Sequence, residues 1–350
     1  MMNTISQTSD NTENIQLSIC IATYNRGSYI SKTLDCILAQ VEPGVEIIVV
    51  DGASPDNTSE VMAKYVANYP EIKYFREKEN SGVDADFDKA VIYAEGKYCW
   101  LMTDDDLLRP DSINRVLSTI TDNIDLLVVD AEVRNADMSK KLEQSRFNLE
   151  ADRVYTKDEY ENFFMDMAVH LTFIGCVIIS RDFWISRDRE SYFGTLFIHV
   201  GVIFQHPPPN YVHVISEPLV SIRYGNALWT SRAFEIWMFK WPQLIWNFID
   251  YSENAKKSIC LREPWRKSKS VFHYRAKGAY SITEFKKYFL DEKNKLRKLV
   301  LLIIAVFPEK LANFLSMIYL LKGNSKNIQR YDLSLCRNAS WLSRFLSRKL

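Results

Sequence analysis

The 350-residue chain lacks net charge, uses few residues that break regular structure, and has no cysteine pair at a metal-binding spacing. Its 44 Lys+Arg balance its 44 Asp+Glu. With 11 glycines and 11 prolines, it is neither collagen-like nor of low complexity. Its six cysteines, Cys20, Cys36, Cys99, Cys176, Cys260 and Cys336, lie far apart with no C-x-x-C. That excludes a zinc ribbon and a thioredoxin-type redox motif. Cys20 and Cys99 sit inside apolar runs and are expected to be buried as small hydrophobes. A reduced, cytoplasmic compartment is the simpler expectation. The longest late apolar run, Leu299–Phe307 (LVLLIIAVF), is too short to span a bilayer and stops at Pro308-Glu309-Lys310. The opening MMNTISQTSDNTENIQ has no basic-then-apolar order, so residues 1–16 are expected to be a disordered lead-in rather than a signal peptide.

What is present points to a large folded domain with an appendage. The chain is 47% hydrophobic and 13% aromatic, enough to bury a sizeable core. Its charge is segregated. Residues 250–350 carry 22 Lys+Arg against 8 Asp+Glu, and residues 1–249 carry 22 against 36. Such a basic tail suits an anionic partner.

Short apolar runs bounded by turn formers predict strands at Leu17–Ala22, Glu46–Val50, Ile72–Arg76, Tyr98–Met102 and Asp125–Asp130. Helical spacing predicts helices at Ser28–Gln40, Ser59–Tyr69, Asp84–Ala94 and Asp111–Ile120. This alternation means an α/β sheet of mostly parallel order. Beyond Asp152 the elements are mixed, with strands expected at Ile174–Ser180 and Val212–Arg223. From Ala233 the chain turns helical and aromatic.

Parallel sheets bind ligands beyond the carboxyl ends of their strands. Three polar clusters fall there: Thr23-Tyr24-Asn25, Asp51-Gly52-Ala53-Ser54 and Asp104-Asp105-Asp106. Three adjacent carboxylates repel one another, and a divalent cation bound to a diphosphate relieves that cost. The bland alternative is an acidic first turn for the helix that follows. Asp51 can accept a hydrogen bond from a base and Tyr24 can stack on one. Alternatively, Asp51 is a turn residue and Tyr24 a rim aromatic.

The blocks LSICIATYNR, EIIVVDGASPDNT, NSGVDADFDKA and YCWLMTDDDLLRPD, in that order over Leu17–Asp111, resemble the nucleotide-binding half of glycosyltransferase family 2. The resemblance implies a GT-A-like, Rossmann-type fold over residues 17–232, with a nucleotide-binding half at 17–111, an acceptor half at 112–232 and a helical basic extension at 233–350. It implies transfer of a sugar, with inversion, from a nucleotide-diphosphate donor to a hydroxyl of a glycan or lipid-linked oligosaccharide. The cofactor implied is a divalent metal, Mg2+ or Mn2+. Carried over by position, Thr23 and Tyr24 line the base pocket and Asp51 contacts the base. Asp104 lies near ribose and metal, Asp105 is the main metal ligand, and Asp106 is expected with them as a metal residue. Thr103 stands where many relatives carry aspartate, and Asp88 where many carry asparagine.

The family's Glu-Asp pair, whose aspartate is the catalytic base, is absent between Arg181 and Gln205. His199 is the side chain in YFGTLFIHVGVIF that titrates near neutral pH, so it is the candidate base. Asp188 and Glu190 are the alternatives, and a buried structural histidine is the bland reading. SIRYGNALWT resembles the family's late arginine-containing loop, which places Arg223 at the diphosphate and Asn226 and Trp229 at the sugars. The second half is similar to abequosyltransferase-like enzymes of O-antigen assembly, which use CDP-linked 3,6-dideoxyhexoses; a CDP- or UDP-linked donor is expected.

Lys286, Lys287, Lys293, Lys295, Arg297 and Lys298 precede LVLLIIAVF, and LANFLSMIYLLK follows. Basic clusters beside apolar helices fit an anionic membrane surface, peripheral on the cytoplasmic face of the inner membrane. A helical subdomain with a solvated basic face is the alternative, and no nucleic-acid-binding motif is present. Two rival functions remain at this stage. One is a non-catalytic nucleotide-sugar binding protein. The other is a nucleotidyltransferase, disfavoured by the lack of a Gly-rich phosphate loop after the first strand.

Overall fold

The computed structural model describes residues 15–121, 123–226, 232–322 and 327–347. Most of the expected lead-in, residues 1–14, lies outside the described residues, as does Trp229. The first half alternates as its periodicity requires: β1 (Leu17–Thr23), α1 (Ile30–Leu38), β2 (Val45–Asp51), α2 (Thr58–Asn68), β3 (Ile72–Arg76), α3 (Val83–Tyr93) and β4 (Tyr98–Met102). β1, β2 and β4 are buried at every position. Strands covered on both faces read as continuous apolar runs.

There follow β5 (Leu107–Leu108), α4 (Ser112–Thr119), β6 (Leu126–Arg134), β7 (Lys141–Glu143), β8 (Arg153–Thr156), α5 (Tyr160–Met167), β9 (Val177–Ser180), α6 (Arg181–Ile185), α7 (Ile198–Phe204) and β10 (Tyr211–Arg223). The sheet order is β3-β2-β1-β4-β9-β6-β10-β5, with β7 on β6 and β8 on β10. β3, β2, β1 and β4 run parallel, as do β6 and β10. β9 lies antiparallel between β4 and β6. The result is the expected mixed, mostly parallel sheet flanked by helices.

Two expected strands differ in extent. Ile174–Cys176 forms a 3-10 turn and the strand begins at Val177. Trp100 Nε1 donates to the Gly175 carbonyl at 2.9 Å, which diverts that carbonyl from the ladder. β6 runs on to Arg134 because β10 pairs with it along its whole length.

From Ala233 the chain is helical. A π turn, Ile236–Lys240, leads into Trp241–Asn247. Helices follow at Glu253–Ile259, Ser268–Ala276, Ile282–Phe289, Lys295–Val306, Glu309–Lys322, Asn327–Leu335 and Trp341–Ser347. Trp241, Leu244, Ile245 and Phe248 join the main core. The later helices enclose separate small cores, one around Phe234, Tyr280, Phe289 and Leu301 and another around Ala276, Ala312, Met317 and Leu333.

Candidate active site

Register places the site. Thr23 pairs with Asp51 at the ends of β1 and β2, and Met102 lies beside Ile21. Asp104 therefore emerges next to Thr23. β5 returns antiparallel to β10, with Leu107 opposite Ser221, which brings Asp104–Asp106 against Arg223. The chain turns at the ends of β1 and β2 through Asn25 (φ 58°) and Ala53 (φ 63°). The alanine there is a strained choice, since Ala rarely adopts left-handed backbone.

Arg26 is the centre of the acidic cluster. Its Nε lies 3.7 Å from Asp104 Oδ1 and a terminal nitrogen 3.4 Å from Asp105 Oδ2. The other terminal nitrogen donates to the Asn226 carbonyl at 3.1 Å. Asn226 Nδ2 donates to Asp105 Oδ2 at 2.7 Å. Arg223 donates from Nε to the Asp105 carbonyl at 2.9 Å and from a terminal nitrogen to Ala136 at 2.8 Å. Both guanidiniums stand over the Tyr29 ring, at 5.3 and 5.5 Å.

Burial and then the Asp105 charge push the Asp104 carboxyl up to about 7, with Arg26 opposing. Burial raises Asp105 too, against the pull of Arg26. Burial, then the Asp105 charge, drive Asp106 well above the carboxylate range. Three carboxylates here stand beside two guanidiniums, those of Arg26 and Arg223. Asp106 differs from its neighbours in being committed. It accepts from the Thr103 hydroxyl and, at 2.6 Å, from the Arg223 backbone N–H. Among the described residues no three His, Cys, Asp or Glu side chains surround one point as a metal cage would. Asp104 and Asp105 instead fit the mode in which one or two carboxylates hold a cation whose remaining ligands are phosphate oxygens and water.

Asp51 is buried at the foot of the neighbouring turn. It accepts from Ser54 N at 2.8 Å and from the Tyr74 hydroxyl at 2.6 Å, with Arg76 at 4.0 Å. Tyr24 is exposed at the rim. Asp86, in the first turn of α3, faces the same turn. A Cβ on Gly52 would stand 2.6 Å from Asp86 Oδ2, so only glycine fits without displacement. Burial raises the Asp86 carboxyl to about 6. Asp88 points away, accepting from Trp184 Nε1 at 2.8 Å and pairing with Arg189 at 2.8 Å. It is a packing anchor rather than a site contact.

The candidate bases separate. Asp84 Oδ2 accepts from Leu196 N at 2.8 Å and Oδ1 from Ile198 N at 3.1 Å, which pins the start of α7 to α3. His199, in that first turn, is buried. Its Nε2 lies 2.7 Å from the Leu171 carbonyl and its Nδ1 has no partner. The carbonyl can only accept, so the proton sits on Nε2 and Nδ1 keeps a free lone pair. Burial pushes its pKa down to about 4. Asp188 sits at the other end of α7, where its carbonyl accepts from Gln205 Nε2 at 2.8 Å. Glu190 is exposed on the turn Glu190–Tyr192. Neither is brought to the first turn of α7.

Arg26, Tyr29, Arg76 and Asp86 were not singled out from the sequence. Arg26 and Asp86 lie within the blocks LSICIATYNR and NSGVDADFDKA, so proximity to strand ends was the available signal. Their partners are distant in sequence and declare themselves only in the fold.

This layout is that of a GT-A-like domain. Residues 18–189 match the family model described as Glycosyl transferase family 2, so this half of the chain is a family 2 glycosyltransferase domain. Among curated proteins, the chain is 29% identical over 263 residues to abequosyltransferase RfbV of Salmonella typhimurium, covering 70% of this chain and 77% of that one. It is 28% identical over 132 residues to chondroitin synthase of Escherichia coli, spanning 38% of this chain but only 19% of that longer enzyme. Among solved structures, S. aureus TarS 1-349 in complex with UDP aligns with a TM-score of 0.52 at 18% identity, over 96% of this chain and 92% of that one. That likeness supports the GT-A-like fold.

Proposed function

We propose that this chain transfers a sugar from a nucleotide-diphosphate donor to a hydroxyl of a glycan or lipid-linked oligosaccharide, with inversion, in bacterial O-antigen or surface polysaccharide synthesis. One observation carries the reading: a buried carboxylate, Asp51, and the adjacent carboxylates Asp104 and Asp105 share one strand edge with two buried arginines, Arg26 and Arg223. Asp51 and Tyr24 hold the base, with Thr23 beside them. Asp104 and Asp105 would hold a divalent cation, which would supply charge neutralisation for a departing diphosphate. Arg223 and Arg26 add fixed positive charge where the leaving group develops its own. Asn226 faces the donor from the loop after β10. His199 is the candidate base through Nδ1, because Nε2 is held by a carbonyl; Nδ1 is buried, so the acceptor hydroxyl reaches it only when the first turn of α7 opens. The likeness to abequosyltransferase RfbV supports abequose, or a sugar resembling it, as the group transferred.

The test is a panel of CDP-, UDP- and GDP-linked sugars, scored for transfer to a lipid-linked oligosaccharide with Mg2+ or Mn2+ and with EDTA. Metal-dependent transfer is expected from one donor, together with loss of at least about a hundredfold in Asp105→Asn, the scale of removing one electrostatic stabiliser. Transfer that survives both EDTA and Asp105→Asn would assign the compensating charge to Arg26 and Arg223 alone. Binding of donor without transfer to any acceptor would leave a nucleotide-sugar binding protein.

A further inference from the structure

A helix on a protein surface ordinarily turns polar side chains outward. Lys295–Val306 does the reverse. Leu296 is 73% exposed, Leu299 and Ile303 are each 53% exposed and Val306 is 63% exposed. At 100° per residue these four fall in one stripe about 80° wide. Leu301, Ile304 and Ala305 bury the opposite side. The next helix, Glu309–Lys322, repeats the pattern. Leu311, Leu315 and Tyr319 are exposed at a spacing of four, while Ala312, Asn313, Ser316 and Met317 face inward.

The two helices meet at 101° through Phe307-Pro308. No single helix among the described residues is long and apolar enough to cross a membrane; the two together have the length and composition of a span, but the 101° bend breaks it. Trp341, 71% exposed, continues the apolar surface, its ring 6.3 Å from Phe314. A groove of about 590 Å3 between Glu309–Lys322 and Trp341–Ser347 sets Lys310 and Arg344 beside Leu311, Phe314 and Trp341.

Charge selects the occupant. Residues 286–322 contain eight Lys+Arg and three Asp+Glu. Lys293, Lys295, Lys310 and Lys322 are exposed. A second copy of the chain would set like charges against like, which costs free energy. An anionic lipid surface accepts both features, with aliphatic side chains entering the acyl boundary and ammonium groups meeting the headgroups. We propose that the corner formed by Lys295–Val306, Glu309–Lys322 and Trp341 docks onto an anionic bilayer, lying in its interface without crossing it. This docking does not depend on the sugar-transfer reading, because it needs neither donor nor acceptor.

The experiment is co-sedimentation of the full chain with vesicles of phosphatidylcholine plus phosphatidylglycerol, or of phosphatidylcholine alone, at low and high salt. Binding is expected only to the anionic vesicles, and weaker at high salt because surface charge is screened within about 10 Å. The double variants Leu299→Asp/Ile303→Asp and Lys293→Glu/Lys295→Glu each change exposed side chains, so the fold should survive. Circular dichroism and unaltered nucleotide binding check that it does. Each should cut binding at least about tenfold, consistent with the contribution of basic side chains near an anionic surface. Equal binding to both vesicle types, or binding indifferent to both double variants, would overturn the proposal. So would a dimer in vesicle-free solution that Leu299→Asp/Ile303→Asp dissolves, because the surface would then be an interface between copies.

Discussion

At the scale of single residues, the site combines groups already committed to the fold with groups left short of a partner. Asp106 holds Thr103 and the backbone of Arg223, and Asp88 holds Trp184 and Arg189. Asp51 is intermediate, since it shapes its own turn through Ser54 N yet stands at the strand edge. Asp51→Asn keeps an oxygen for Ser54 and removes the charge. Nucleotide affinity should fall by about 1–3 kcal/mol, the worth of a hydrogen bond to a charged group. Unchanged affinity by calorimetry would take Asp51 out of the base pocket.

His199 makes a second residue-scale prediction. His199→Ala should lower turnover with little effect on donor affinity, while Asp188→Ala and Glu190→Ala leave turnover near normal. Near-normal turnover in His199→Ala would return the role to those carboxylates. Its folded pKa of about 4 lies below the ordinary 6.5, so the unfolded chain takes up the proton first. The contribution is present above pH 6.5 and is lost as pH falls through 4. It amounts to no more than about 3 kcal/mol. The raised carboxyls of Asp104 and Asp86 work in the opposite direction. The difference between wild type and His199→Gln therefore isolates the histidine. That variant should gain stability relative to wild type between about pH 7 and about pH 4.5.

At the scale of elements, the loop after β10 joins the site to the C-terminal helices. Arg223 donates to the Ala136 carbonyl, and the Ala136 N–H donates to the Tyr331 hydroxyl at 3.2 Å. Tyr224 and Tyr331 lie 6.4 Å apart, and Leu335 lies against Gly225. The helix Asn327–Leu335 thus props the segment that carries Arg223 and Asn226. Tyr331→Phe leaves the Ala136 N–H unpaired and should cost about 1 kcal/mol of stability. Donor affinity should fall with it as Arg223 loosens. A melting temperature and donor affinity both equal to wild type would show that the prop is idle. This contact also means that removing the C-terminal helices would disturb the site, which makes point substitutions the cleaner probe of membrane docking.

At the scale of the whole molecule, the sequence by itself determined the parallel half of the sheet and the edge at which ligands bind. Runs such as Ile72–Arg76 and Tyr98–Met102 coincide with their strands, because an apolar run bounded by turn formers is local information. The excess of basic over acidic residues in the last hundred positions was equally legible, since charge is counted along the chain. Only the tertiary structure decided that β9 enters antiparallel between β4 and β6. Only it set Arg26 across Asp104 and Asp105 and buried His199 against Leu171 while leaving Asp188 at the far end of α7. It also turned Leu296, Leu299, Ile303 and Val306 outward, where periodicity alone identifies an apolar stripe and not the side that meets the core. The physical reason is the range of the interactions. Hydrophobic period and turn chemistry act between near neighbours, whereas charge pairing and burial depend on residues that only the folded chain brings together.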